Sequence, residues 1–168
     1  MQEEIEDNPQ QKALNKLEAL GIEYQLVHHP AAFTVEDMDR LNLAEYGDGC
    51  VNLFLRDDKG KRHFLLVMLS HKKADLKAIQ NQLGCSRLGF ASEERLFKYL
   101  GLHKGEVTPL GIINDRDAVV EMVLDKDLIG RKKLGFHPND NTATVWLSFD
   151  DLVKLIEQNG NTICLATV

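Results

Sequence analysis

The side chains that most often carry chemistry are thinly spread along this sequence. Its six histidines, His28, His29, His63, His71, His103 and His137, show no metal-ligand spacing with one another. Each is therefore read first as a surface or hydrogen-bonded core residue. Cys50, Cys85 and Cys164 are odd in number, widely spaced and without a CxxC pair, which points to reduced thiols rather than a disulfide framework or a cysteine-rich zinc site. The signatures GxSxG, GxxxxGK followed by Ser or Thr, GxGxxG and HExxH are all missing, so the common hydrolase, nucleotide-binding and zinc-protease arrangements are not expected. A formal net charge of −6 over 168 residues argues against a broad nucleic-acid-binding face. Any RNA contact must be local, and no DNA partner is expected.

The elements that would position these residues follow from turn and cap signals. Asn8-Pro9 ahead of Leu14, Leu17 and Leu20, with Gly21 as the stop, predicts a short amphipathic helix. Residues 22–28 alternate as a strand, and Thr34-Val35-Glu36-Asp37 has the start signature of a second helix. The apolar runs VNLFLR (51–56) and HFLLVML (63–69), joined by Asp57-Asp58-Lys59-Gly60, predict a central hairpin. Helices are expected over 75–83 and 92–100, ended by Gly84 and Gly101, and residues 105–111 read as a loop. Ile112-Ile113, 119–124 and 142–147 read as strands, Ser148 caps a last helix to about Gln158, and 163–167 could close the sheet. The fold class is α/β, one domain over 1–168 with a mixed, barrel-like sheet surrounded by helices and residues 1–8 as a flexible N-terminus. No run approaches the ~20 apolar residues of a membrane span and the N-terminus is acidic, so a cytoplasmic protein with no membrane partner is expected.

Four segments together carry more than composition does. They are HPAAFTVE (29–36), VNLFLRD (51–57), GEVTPLGIIND (105–115) and FHPNDNTAT (136–144). In that order and spacing the chain resembles the YbaK/prolyl-tRNA deacylase family, nearest its single-domain branch that deacylates alanyl-tRNA(Pro). The resemblance implies hydrolysis of the ester between a wrong amino acid and the terminal ribose of tRNA, with the tRNA acceptor end as partner and prolyl-tRNA synthetase as a further one. Discrimination by a methylene or two yields only about 1–3 kcal/mol, which is why a second, hydrolytic sieve is useful.

The implied mechanism uses no cofactor, metal or protein nucleophile. Water attacks the ester, helped by the substrate's ribose hydroxyl and by the backbone of a glycine loop, here Gly105, Thr108, Pro109 and Gly111. His137 matches a pocket histidine, Phe33 a residue of the pocket wall, and Asn52 and Thr108 are further candidates for substrate contact. The family lysine that holds the phosphate of the terminal adenosine falls at Val51. An isopropyl group supplies neither charge nor donors. Position 51 is thus either an engineered substitution, the mark of a catalytically silent member that binds tRNA or an amino acid, or a place where another cation has taken over. Lys72 and Lys73, expected at a helix start, are candidates for that cation, and Arg131 and Lys132 for contact with the acceptor backbone.

Overall fold

The computed structural model describes residues 8–32 and 34–168. Residues 1–7, expected as most of a flexible N-terminus, and Phe33, expected in the pocket wall, lie outside the described residues.

Helix α1 (Pro9–Ala19) begins where the sequence predicts: the Asn8 side chain accepts from the Gln10 and Gln11 amides, and proline occupies the first turn, where its missing N–H costs nothing. Strand β1 (Gln25–His28) follows. Helix α2 (Val35–Arg40) opens with a reciprocal capping box, Thr34 Oγ1 accepting from the Asp37 amide at 3.1 Å while the Asp37 carboxylate accepts from the Thr34 amide at 3.2 Å. A 3₁₀ turn at Leu43–Glu45 leads into the long β2 (Asp48–Arg56), which pairs antiparallel with β3 (His63–Leu69) from Cys50↔Leu69 to Arg56↔His63. Gly60, at φ +67°, turns the hairpin, and Asp57 Oδ1 accepts from the Lys61 and Arg62 amides.

Helices α3 (Leu76–Leu83) and α4 (Glu93–Leu100) are capped by Asp75 and Ser92 and end on the left-handed glycines Gly84 and Gly101. The short β4 (Gly89–Phe90) lies between them. Beyond come β5 (Glu121–Asp125), β6 (Leu134–Phe136), β7 (Ala143–Leu147), α5 (Phe149–Asn159) and β8 (Ile163–Ala166).

The eight strands make one mixed sheet in the order β1-β7-β6-β2-β3-β5-β8, with β4 beside β2. The path ends at β1 and β8, so the expected closure is not made by hydrogen bonds between those two strands. Ile112-Ile113 is not a strand either. It lies in a 3₁₀ helix, Pro109–Asn114, because Thr108 caps the turn, Pro109 starts it and Gly111 lets it press against Leu102. Lys72 and Lys73 precede α3 rather than start it, since Asp75 is the cap.

Two apolar cores flank the sheet. The larger gathers Leu14, Leu17, Phe54, Leu65, Val67, Phe136, Val145 and Leu155; the smaller gathers Leu55, Phe64, Leu66, Met68, Ile79 and Val123. Alternation along β2 sends Phe54 to the first and Val51 and Leu53 to the second, with Cys50 packed against the first.

Candidate active site

One edge of β2 creates the site. That edge is paired with β6 at its start (Asp48↔Leu134, Gly49↔Gly135) and with β4 at its end (Leu55↔Phe90, Arg56↔Gly89). Between these pairings no strand among the described residues covers residues 50–53 on that side. A cavity of about 390 Å³ opens there, a size within the roughly 300–1,000 Å³ typical of small-molecule sites. Its walls come from β2 (Gly49 to Leu53), from α2 and the following turn (Thr34, Met38, Asp39, Leu43, Ala44), from Gly105 and Val107, and from the β6–β7 side (Gly135, Phe136, His137, Thr144, Trp146), with Ala32 and Ser70 completing it.

Three of the four segments singled out in the sequence thus meet at one cavity, and the fourth contributes Ala32 and Thr34. Val51, Asn52, Gly105 and His137 line it. Thr108, Pro109 and Gly111 do not; they are buried just behind it. Thr108 Oγ1 donates to the His137 carbonyl at 2.6 Å and accepts from the Leu110 amide at 3.3 Å, tying the glycine loop to the end of β6. Gly105 and Gly111 differ in kind. Gly105 sits at φ +87°, a conformation that favours glycine, whereas Gly111 is needed for space: a Cβ there would meet Leu102 Cδ1 at 2.7 Å.

The polar groups of the cavity are few. Asn52 Nδ2 donates to the Val107 carbonyl at 3.3 Å, which turns its Oδ1 away from that carbonyl; Oδ1 is buried and has no hydrogen-bond partner among the described residues. Burial holds the His137 imidazole below its ordinary value of 6.5, with His29 adding to the effect, so the ring is neutral at pH 7. Its Nδ1 lies 3.1 Å from the Ala143 carbonyl and must be the protonated nitrogen, leaving Nε2 as an acceptor. His29 Nδ1 lies 2.7 Å from the Pro30 carbonyl and its Nε2 lies 2.8 Å from Thr144 Oγ1. The Cys50 thiol is pushed far up by burial and by Asp48, so it stays protonated and is a poor nucleophile. Among the described residues no three metal-ligating side chains converge.

Among the described residues no lysine or arginine lines the cavity, and Asp39 is its one charged wall residue. Lys72 is drawn elsewhere. Its Nζ lies 2.9 Å from Asp125 Oδ1 and also bonds Asp127 Oδ2, and these carboxylates raise its pKa, the Asp127 hydrogen bond foremost. Lys73 and Lys132 are exposed, while Arg131 pairs with Asp48 at 3.1 Å, two residues from Cys50 in the wall.

Sequence reasoning missed Cys50, Gly135, Thr144 and Trp146 as wall residues. Thr144 ends the 136–144 segment, Gly135 precedes that same segment, and Cys50 adjoins Val51, so adjacency was the available signal; for Trp146 there was none.

Asn52, His137 and Gly105 thus share the wall of one small, mostly apolar cavity, of a size to hold a small acyl group. Residues 29–155 match the aminoacyl-tRNA editing domain model. The chain is 47% identical over 152 residues to the prolyl-tRNA editing protein ProX of Acetoanaerobium sticklandii, covering 90% of this chain and 93% of that one. It is 35% identical over 150 residues to prolyl-tRNA synthetase associated domain-containing protein 1 of Bos taurus, covering 87% of each. The crystal structure of a candidate trans-editing enzyme for prolyl tRNA synthetase superposes with a TM-score of 0.74 at 21% identity, over 96% of this chain and 98% of that one, a likeness of fold. The chain belongs to the aminoacyl-tRNA editing domain family.

Proposed function

We propose that this protein hydrolyses mischarged tRNA(Pro) in trans, with alanyl-tRNA(Pro) as the substrate. The observation that carries the reading is the convergence of Asn52, Gly105 and His137 on one small, mostly apolar cavity. An editing site must admit alanine and refuse proline, and a tight apolar wall with few polar groups suits that steric task. The 47% identical relative, named as a prolyl-tRNA editing protein, supports the choice of tRNA.

In this reading the neutral His137 Nε2 accepts from the substrate ammonium or the attacking water, and Asn52 lies beside the aminoacyl group. The backbone around Gly105 lies against the ester carbon, where its amides can take up developing negative charge. Exposed Lys73 and Lys132, with Arg131, meet the phosphates of the acceptor stem. Prolyl-tRNA synthetase is the partner that supplies the mischarged product, and the cytoplasm is where the two meet.

The test is release of alanine from alanyl-tRNA(Pro) beside prolyl-tRNA(Pro) as control. Alanine release above the buffer rate with the prolyl ester spared supports the proposal; equal rates for both esters contradict it.

One observation favours a second reading, a silent member that binds without turnover: among the described residues the cavity wall holds no cation where the family lysine would stand, and Lys72 is occupied by Asp125 and Asp127. Tight binding of alanyl-tRNA(Pro) without hydrolysis, and turnover in Val51→Lys, would select it.

A further inference from the structure

Helix α2 supplies one side of the cavity. Thr34 and Met38, four residues apart and so on one face, both line it, and Asp39 beside them is the one charged wall residue among those described. Asp39 is exposed, unlike the polar groups buried deeper in the wall. Its side chain makes no hydrogen bond or ion pair with any described residue, because Arg40, the cation next along the helix, bonds Asp37 instead.

The placement runs against local preference. Asp39 stands in the last turn of α2, where the carbonyl end of a helix disfavours a carboxylate. The wall around it is mostly apolar and, with valine at position 51, offers no positive charge among the described residues to balance it. A concave wall of one sign beside apolar surface focuses its field on what enters, and here that field favours a cation. The acyl end of an aminoacyl ester carries one such charge, the α-ammonium, since an α-amino group titrates near about 8.

We infer that Asp39 determines specificity at this site, its carboxylate pairing with the α-ammonium of the bound aminoacyl group. This rests on the cavity being the aminoacyl site. Esters with a free amine are accepted, and those whose nitrogen is acylated and uncharged, peptidyl esters among them, are spared. With the ammonium held at Asp39, the neutral His137 Nε2 is left to accept from the attacking water.

The probes are two non-hydrolysable amide analogues of 3′-acylated adenosine matched in size, one carrying alanine and the other lactic acid, whose hydroxyl replaces the ammonium. Each is titrated calorimetrically into the full chain, wild type and Asp39→Asn. The expected result is about tenfold tighter binding of the alanyl than of the lactyl analogue by the wild type. Asp39→Asn, which keeps the shape and removes the charge, should bring the alanyl analogue down to the lactyl level and leave the lactyl affinity unchanged. Equal affinities in the wild type, or an alanyl preference that survives in Asp39→Asn, overturn the role of Asp39 and leave the functional reading intact. A parallel loss for both analogues in Asp39→Asn makes the residue structural and overturns the role as well. Failure of both analogues to bind the wild type overturns the reading of the cavity and the role with it.

Discussion

Two regions on either side of β2 and β3 treat polar groups in opposite ways. At the end of β3, Lys72 lies between Asp125 and Asp127, and Asp125 also accepts from the amides of Leu69 and Asp127. Every charge there is answered by a protein group. In the cavity on the open edge of β2, Asn52 Oδ1 and Trp146 Nε1 are buried in the wall residues with no partner among the described residues, and the wall is mostly apolar with Asp39 as the one charged side chain among them. A cluster whose charges answer one another is fixed by the fold itself, whereas a concave, mostly apolar wall with few polar groups leaves room for a small molecule.

The largest expected effect falls on the self-satisfied cluster. Lys72→Ala leaves the Asp125 side chain, 1% exposed, without its cation. Unfolding stability should fall by about 3 kcal/mol in a urea titration, with the cavity's ligand affinity unchanged in the folded fraction. If Lys72→Ala instead weakened tRNA binding at undiminished stability, the contrast between the two regions would collapse.

A change of intermediate size should follow at the wall itself. Gly135→Ala drives a methyl group into the Trp146 ring, which Tyr46 backs from its other contacts, and this overpacking should cost about 2 kcal/mol and lower deacylation together. A stable, fully active Gly135→Ala would mean that the ring is less fixed than its packing implies.

The loop glycines sharpen the comparison further. Gly105→Ala pays about 1 kcal/mol for a side chain at φ +87° and should depress turnover more than stability, since residue 105 lines the cavity. Gly111→Ala, at ordinary φ but against Leu102, should do the reverse. Thermal melts and single-turnover rates on both variants separate the two roles.

The smallest effect is on pH dependence. Burial holds His137 and His63 below 6.5, and the positive charge of Arg95, 3.0 Å from His63 Nε2, adds to the effect there. Their pKa values in the folded protein lie below those of the unfolded chain, so the unfolded state takes up protons first as pH falls through 6.5. The stability they contribute is present above pH 6.5 and is lost progressively below it. Urea midpoints should therefore drop between pH 7.5 and 5.5; a flat profile would contradict neutral, buried rings.

Much of the fold was legible because its punctuation is local. The Thr34–Asp37 capping box, the Asp57–Gly60 turn and the glycine stops at Gly84 and Gly101 need only neighbouring residues to act, and each formed as its residue types dictate. Ile112-Ile113 shows the limit, for a short apolar run has no period of its own, and Thr108, Pro109 and the fit of Gly111 against Leu102 turned it into 3₁₀ helix. At the site, the segments holding Asn52, Gly105 and His137 could be picked out as motifs. Their partners could not: Lys72 meets carboxylates at 125 and 127, and Trp146 reaches the wall only through strand pairing with β6. Gly105 and Gly111 are indistinguishable in the sequence, and only tertiary packing separates a conformational glycine from a spatial one.

The central claim is that the cavity beside β2 is an editing site whose rate is limited by valine at position 51. Single-turnover deacylation of alanyl-tRNA(Pro) by the wild-type protein and by Val51→Lys tests it most directly. The account predicts alanine release above the buffer rate for the wild type and a gain on the order of a hundredfold for Val51→Lys, where an ammonium can anchor the terminal phosphate. Release at the buffer rate by both proteins, at micromolar concentration and with both folded, would contradict it.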